Sequence, residues 1–172
     1  LDANRRGPMA GFGLHPIMHF RDLNEEQLLA VAITAEEEDA RIYRDFAQTL
    51  QAEFPASAEL FRKMAEEESD HRHRLIELHR QKFGEHIPLI RRQDVKGFLT
   101  RRPAWLATSL RPEKAREEVE LMESEARRFY EAAAARSTDA AVRQLLGDLA
   151  QEELKHEEAA QGGGGRGLVR VR

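Results

Sequence analysis

The chain contains no cysteine. Disulfide bridges, a thiol nucleophile, Cys-ligated zinc and a rubredoxin-type Cys-x-x-Cys iron site are therefore excluded. Proline and glycine are scarce, at 6 and 11 in 172 residues, and aromatic residues make up only 6%. That leaves too few chain breakers and ring side chains for a fold built of many short strands and turns. No apolar run approaches the roughly 20 residues that a membrane-spanning helix needs. A strong excess of one charge is also missing: 27 basic residues face 31 acidic ones, a net charge of −4, which gives no general attraction to nucleic acid. Present instead are 41% hydrophobic and 34% charged residues, the mixture of long amphipathic helices in a chain large enough for one domain with a real core.

The two ends stand apart. Residues 1–17 mix Gly, Pro and Arg without periodicity and carry no signal-peptide pattern. The run Gln161-Gly162-Gly163-Gly164-Gly165-Arg166-Gly167 does not suit a helix and reads as a linker, followed by Leu168-Val169-Arg170-Val171-Arg172 as at a junction with a further domain. Residues 1–19 are thus expected to be a flexible segment, 20–161 the folded unit, and 162–172 a Gly-rich linker or tail.

Between the ends, four stripes of helical period follow one another. The first is Leu29, Ile33, Glu36, Ala40, Tyr43, Ala47, Leu50 and Phe54. Phe54-Pro55 ends it, and Ser57 is expected to cap the next helix. The second stripe runs Phe61, Met64, Glu68, His71, Leu75, Leu78 and stops near Gly84. The third begins after Arg111-Pro112, with proline in the first turn, and reads Val119, Glu123, Ala126, Tyr130, Ala133. A corner at Ser137-Thr138-Asp139 leads to the fourth: Val142, Leu146, Leu149, Glu153, His156, Ala160. The links within each pair are short. The 28 residues from Gly84 to Arg111 separate the pairs and contain Pro88, Gly97 and Pro103. The predicted fold is all-α: two helical hairpins joined by a long crossover, the ferritin-like form of the four-helix bundle.

Each inner stripe carries a carboxylate at mid-height. Ala65-Glu66-Glu67-Glu68-Ser69-Asp70-His71 on the second helix matches Ala150-Gln151-Glu152-Glu153-Leu154-Lys155-His156 on the fourth, both Ala-x-Glu-Glu-x-x-His. Glu36 precedes Tyr43 by seven residues, as Glu123 precedes Tyr130, and these are the two tyrosines of the chain. The offsets, 87 residues for the Glu/Tyr pair and 85 for the Glu/His pair, mark an internal duplication of a hairpin. Four carboxylates in a packed core, unaccompanied by cations, cost more than a fold tolerates. Glu and His at i and i+3 share one helix face. One Glu from each of two helices with Glu-x-x-His from the other two is the ligand set of di-iron and di-manganese bundles. Two divalent ions also balance four carboxylates. The expected site has Glu68 and Glu153 bridging two metals, with Glu36 and His71 completing one and Glu123 and His156 the other. Tyr43 and Tyr130 lie behind them as hydrogen-bond donors to ligating carboxylates. The mixed donor set suits iron, with manganese or zinc as alternatives.

Rival assignments are bland. Glu37 competes with Glu36 for the inward register, and the tyrosine spacing favours Glu36. Glu67 and Glu152 fall off the stripe and read as exposed, with a peripheral third metal as the alternative. Glu120, one turn before Glu123, either joins the ligands or is solvated, and solvation is favoured. Asp70 and His73 have no copy on the fourth helix and read as a solvated face. His15, His19, His79 and His86 read as surface residues. Arg91-Arg92 and Arg101-Arg102 near Trp105 read as solubility and packing of the crossover, with an anionic partner as the alternative.

Over residues 22–160 the paired Glu-x6-Tyr and Glu-x-x-His motifs resemble the rubrerythrin branch of the ferritin-like superfamily. Ala126 departs from that pattern, which has a further glutamate one turn after the third-helix ligand; either Glu123 is the ligand and that glutamate is missing, or Glu120 is the ligand and Glu123 is the additional one. More narrowly, the basic crossover, the opening Phe20-Arg21-Asp22-Leu23-Asn24 and the glycine-rich exit resemble the soluble domain of membrane-bound ferritin. There, a rubrerythrin-like domain precedes a membrane domain of the vacuolar iron transporter type. That resemblance implies a cytoplasmic module of an inner-membrane iron exporter, binding Fe(II), oxidising it with O2 or hydrogen peroxide as a ferroxidase or peroxidase, and protecting against iron and peroxide stress. The alternatives are a free-standing peroxide reductase or manganese catalase, and a ferritin-like iron store. Helices of roughly 40 Å, at about 1.5 Å per residue, leave side surface for a homodimer, in which helices are either kept or exchanged between subunits.

Overall fold

The structure is a computed structural model, and it describes residues 17–97 and 110–162. His15, Arg101-Arg102, Trp105 and the run from Gly163 to Arg172 lie outside the described residues. Four helices account for the fold: α1 (Glu25–Leu50), α2 (Pro55–Phe83), α3 (Pro112–Arg136) and α4 (Ala140–Gly162). α1 packs along α2 and α3 along α4, so the chain forms two hairpins, as the spacing of the breakers predicts.

The helix ends follow local chemistry. Asn24 and Gln27 form a reciprocal capping box at the start of α1, each side chain accepting the other's backbone N–H at 2.9 Å. Asp139 caps α4 by accepting from the N–H groups of Ala141 and Val142. Pro55 and Pro112 occupy first-turn positions, where a missing N–H costs nothing. Ser57 does not cap α2: the helix has begun at Pro55, and the Ser57 hydroxyl instead accepts from Arg116 on α3. α2 ends at Gly84, whose φ of +90° is a conformation that side-chain-bearing residues rarely adopt. α4 takes in one residue of the glycine run, Gly162.

Among the described residues, the crossover is tied down by backbone pairing, side-chain hydrogen bonds and an ion pair. Met18–His19 pairs in parallel with Val95–Lys96, a two-residue contact that leaves the fold all-α. The Thr34 hydroxyl donates to the carbonyl of Ile90. Arg92 is buried and donates to both oxygens of buried Asp39 on α1, at 2.9 and 2.8 Å. Of the expected solubility and packing, Arg92 serves packing: its guanidinium forms a two-pronged pair that fastens the crossover to α1. His79 departs from its expected surface position. It is fully buried, with Nδ1 3.2 Å from the Gly84 carbonyl and Nε2 3.5 Å from Glu26, so it links the end of α2 to the start of α1.

The apolar core is divided into two clusters. One holds Leu28, Leu29, Ile33, Leu75, Phe129, Leu146 and Leu149 with their neighbours. The other holds Tyr43, Phe46, Leu50, Phe61, Met64, Val119 and Met122 with theirs. Every helix passes from one cluster to the other at a buried glutamate: Glu36, Glu68, Glu123 and Glu153. The site therefore occupies a polar layer between two hydrophobic ends.

Breaking the Asp39–Arg92 pair should leave one buried charge uncompensated. Arg92→Met is expected to destabilise the metal-free protein by about 3–5 kcal/mol, and the double variant Asp39→Leu/Arg92→Met by less. Urea unfolding of both variants checks this.

Candidate metal centre

Helical period alone turns the carboxylates inward. The third- and fourth-residue steps that bury Leu29, Ile33 and Ala40 also bury Glu36, whereas Glu37 is exposed. The same phase carries Glu68 and His71 on α2, Glu123 on α3 and Glu153 on α4 into the bundle; His156 sits at its edge, 14% exposed at the side chain. The six residues expected to form the site are brought together, as two overlapping groups: Glu36, Glu68, His71 and Glu153, and Glu68, Glu123, Glu153 and His156. In each group one ligand atom per residue lies within 4.8 Å of the others. Glu68 and Glu153 belong to both.

Both imidazoles present Nδ1 to the interior. His71 Nδ1 lies 2.9 Å from Glu153 and 3.7 Å from Glu36. His156 Nδ1 lies 3.3 Å from Glu123, 3.5 Å from Glu68 and 3.7 Å from Glu153. The rings face each other with centroids 5.8 Å apart and planes inclined by 12°. Behind the carboxylates the tyrosines cross between hairpins. Tyr43 on α1 donates to Glu123 on α3, and Tyr130 on α3 donates to Glu36 on α1.

Glu120 is not part of either group. It is half-buried and accepts from Gln161 at 2.8 Å. Asp70, His73, His19 and His86 are exposed, as expected. Glu67 and Glu152 are not simply solvated. Glu152, half-buried, lies 2.7 Å from Nε2 of His71, and Glu67 pairs with Nε2 of His156. The signal for them was in the repeat, since both are the first Glu of the shared Ala-x-Glu-Glu-x-x-His string.

The electrostatics describe a site closed by protons. Burial and the neighbouring Glu153, Glu36 and Glu123 push Glu68 well above the usual carboxylate range. Burial and the nearby Glu123 do the same to Glu153. Burial opposes charge on His71, but Glu36, Glu68 and Glu152 outweigh it and raise the imidazole to about 9. His156 is raised against burial by Glu123, Glu153 and Glu68. Glu36 is lowered: burial opposes the charge, but Glu68, His71 and Tyr130 bond to it. Burial first, then the adjacent carboxylates, keep both tyrosines protonated and donating.

Even so, the layer is not internally satisfied. Glu36 Oε2, Glu68 Oε1, both oxygens of Glu153 and His71 Nδ1 are buried without a well-aligned hydrogen bond, and only charged contacts such as His71 Nδ1 to Glu153 at 2.9 Å join them. Buried polar atoms ordinarily find such a bond, and these converge on the volume shared by the two groups. Hard carboxylate oxygens with one imidazole nitrogen per group fit two divalent ions of the iron or manganese type.

The family model described as rubrerythrin matches residues 27–162. That span holds all four helices' contributions to the polar layer, and the chain belongs to the rubrerythrin family. Two solved structures share its fold. A hypothetical protein from Pyrococcus furiosus is 24% identical, with a TM-score of 0.66 over 84% of this chain and 90% of its own. An uncharacterised conserved protein from Magnetospirillum magnetotacticum MS-1 is 23% identical, with a TM-score of 0.71 over 87% of this chain and 99% of its own. No curated protein matches the chain.

Metal uptake must displace the protons held by Glu68, Glu153, His71 and His156. Binding should therefore release protons at neutral pH, and apparent affinity should climb with pH through the His71 value of about 9, His156 being raised as well. Calorimetry in buffers of different ionisation enthalpy counts the protons. Glu68→Ala and Glu153→Ala each remove an atom common to both groups and are expected to abolish two-ion binding in the same titration.

Proposed function

We propose that this chain is a di-iron protein that binds Fe(II) within its four-helix layer and oxidises it with O2 or hydrogen peroxide. The observation that carries this reading is the convergence of buried ligand atoms on Glu36, Glu68, His71 and Glu153, which face one another in the middle of the bundle and make no well-aligned hydrogen bond there. Glu68 and Glu153 would bridge the two ions, Glu36 and His71 would hold one, and Glu123 and His156 the other. Held there, two Fe(II) would supply the two electrons that reduce one hydrogen peroxide, with two protons, to two waters.

The chain's own residues supply position and charge balance. Tyr43 and Tyr130 fix the two terminal carboxylates from the opposite hairpin, so each metal half is braced by both hairpins. The apolar clusters on either side keep bulk water from reaching the layer along the bundle axis. His156 sits toward the open side, in a cleft of about 630 Å³ between α2 and α4 whose lining includes Glu66, Glu67, Asp70 and Glu152 as well as Lys63 and Lys155. This cleft is the route we assign to Fe(II) and oxidant.

The narrower resemblance to membrane-bound ferritin supports a role as the iron-oxidising module of an exporter in the inner membrane, facing the cytoplasm. Among the described residues no helix is long and apolar enough to cross a membrane, so in this reading transport belongs to a separate domain. The elongated bundle supports a homodimer.

Anaerobic titration of the metal-free protein with Fe(II) tests the central claim. Two tight ions per chain are expected, followed by oxidation on mixing with O2 or peroxide in stopped flow. Failure to bind would overturn the di-iron reading. Rapid dismutation of peroxide by the manganese-loaded protein, with no iron oxidation, would replace it with a catalase.

A further inference from the structure

Glu67 and Glu152 were assigned no role by the ligand pattern, yet each touches a candidate ligand of the opposite hairpin. His71 on α2 turns Nδ1 to the metal layer and Nε2 to Glu152 on α4, 2.7 Å away. His156 on α4 turns Nδ1 to the layer and Nε2 to Glu67 on α2. The two contacts are related by the same duplication that relates the ligands. Each carboxylate immediately precedes a bridging glutamate, so the peptide that places Glu68 also places Glu67, and likewise Glu153 and Glu152. Successive helix residues are about 100° apart. One glutamate therefore enters the layer while the one before it stands on the shoulder facing the neighbouring helix.

We propose that Glu67 and Glu152 are positioning residues, each holding the opposite hairpin's histidine with Nε2–H toward the carboxylate and Nδ1 toward the metal. The inference rests on the di-metal reading above. A carboxylate on the outer nitrogen fixes the ring's tautomer and orientation and makes the inner nitrogen a better donor to metal. It also makes ligation depend on both hairpins at once, since neither histidine is oriented by its own pair of helices.

The two halves are braced unequally. Arg74 on α2 donates to both oxygens of Glu152, at 3.0 and 2.9 Å, completing an Arg74–Glu152–His71 chain. At the position 85 residues further on, the residue is Ala159, so no equivalent arginine backs Glu67, whose side chain is 53% exposed. The half containing His71 is the more rigidly prepared, and we assign it the tighter ion.

The test uses Zn(II) and Co(II) on the full chain, so that no turnover is required. Glu67→Ala and Glu152→Ala should each weaken one of two bound ions by about 10–100-fold, with the loss on the tighter ion for Glu152→Ala. Glu66→Ala removes an equal charge from the same cleft without touching either histidine and should change affinity by less than about twofold. Nitrogen-15 imidazole spectra of the Zn(II) form should show Nδ1 metallated and Nε2 protonated in both rings, with the Nε2 proton exchanging faster in each alanine variant. If the natural chain binds two ions, and the Glu67 and Glu152 variants match it in affinity and imidazole spectra, the positioning role is wrong while the di-metal reading stands. Equal losses in Glu66→Ala would reduce the effect to general electrostatics, and metal on Nε2 would overturn the proposal outright. A natural chain that binds no metal would instead remove the reading beneath it.

Discussion

Everything in this structure is arranged around four carboxylates that a packed helical bundle has no ordinary reason to bury. Removing one carboxylate from water into an interior costs several kcal/mol even after relaxation, and Glu36, Glu68, Glu123 and Glu153 share one layer. Two balances are available. Without metal, protons on Glu68 and Glu153, the two glutamates common to both groups, and on both imidazoles offset the charge. With two divalent ions, those protons leave and the metals take their place. The first balance leaves oxygens of Glu36, Glu68 and Glu153 without a well-aligned hydrogen bond. The second satisfies them. The fold carries a standing deficit at its centre, and the two apolar clusters above and below hold the helices in register against it.

The second organising feature is exchange between hairpins. Local packing is strongest within each hairpin, α1 with α2 and α3 with α4. Between the pairs, polar contacts do much of the joining: Tyr43 to Glu123, Tyr130 to Glu36, His71 to Glu152, and His156 to Glu67. These four contacts form two symmetry-related sets, as expected for a duplicated hairpin that came to face its own copy. Each hairpin is incomplete in the same way and supplies what the other lacks. The layer therefore serves as the interface between two similar halves as well as a binding site, which is why its members recur at offsets of 85 and 87 residues rather than within a single local motif.

That recurrence explains what could be read from the residues alone. A period of 3.6 with a polar interruption at the same height on four stripes points to the bundle, and the seven-residue spacing to Tyr43 favours Glu36 over Glu37 as the inward residue. The breakers at Phe54-Pro55, Gly84, Pro112 and Ser137 divide the helices because each acts on the backbone directly. What escaped lies where those signals are weak. Asp39 stands one turn after Glu36 at the margin of the stripe, and its partner Arg92 belongs to an irregular segment with no period to phase it. Nothing local links two residues 53 positions apart. His79 was legible in principle, one turn beyond Leu75 on the buried face, but a lone histidine without a copy gives no reason to prefer burial over solvent. Ser57 failed as a cap for a simple reason: proline had already started the helix two residues earlier.

The departures from symmetry carry the remaining information. Asp39 and Ala126 occupy equivalent places, each three residues after its hairpin's terminal glutamate, yet only the first is acidic. In the structure that acid is held by Arg92 rather than turned to the metal layer, and the arginine's positive charge lies close enough to favour ionised Glu36. Arg74 and Ala159 differ in the same sense, with the arginine again on the side of His71. Both asymmetries place an arginine behind the half formed by Glu36 and His71, and neither arginine has a counterpart at the matching position behind Glu123 and His156. A duplicated site under no further constraint would keep its halves alike. Here one half is stiffened and given compensating charge, while the other, at the edge of the cleft, keeps a half-exposed carboxylate on its histidine. The geometry thus separates a well-prepared position from a more accessible one. That division suits a centre in which one ion stays while the other is exchanged.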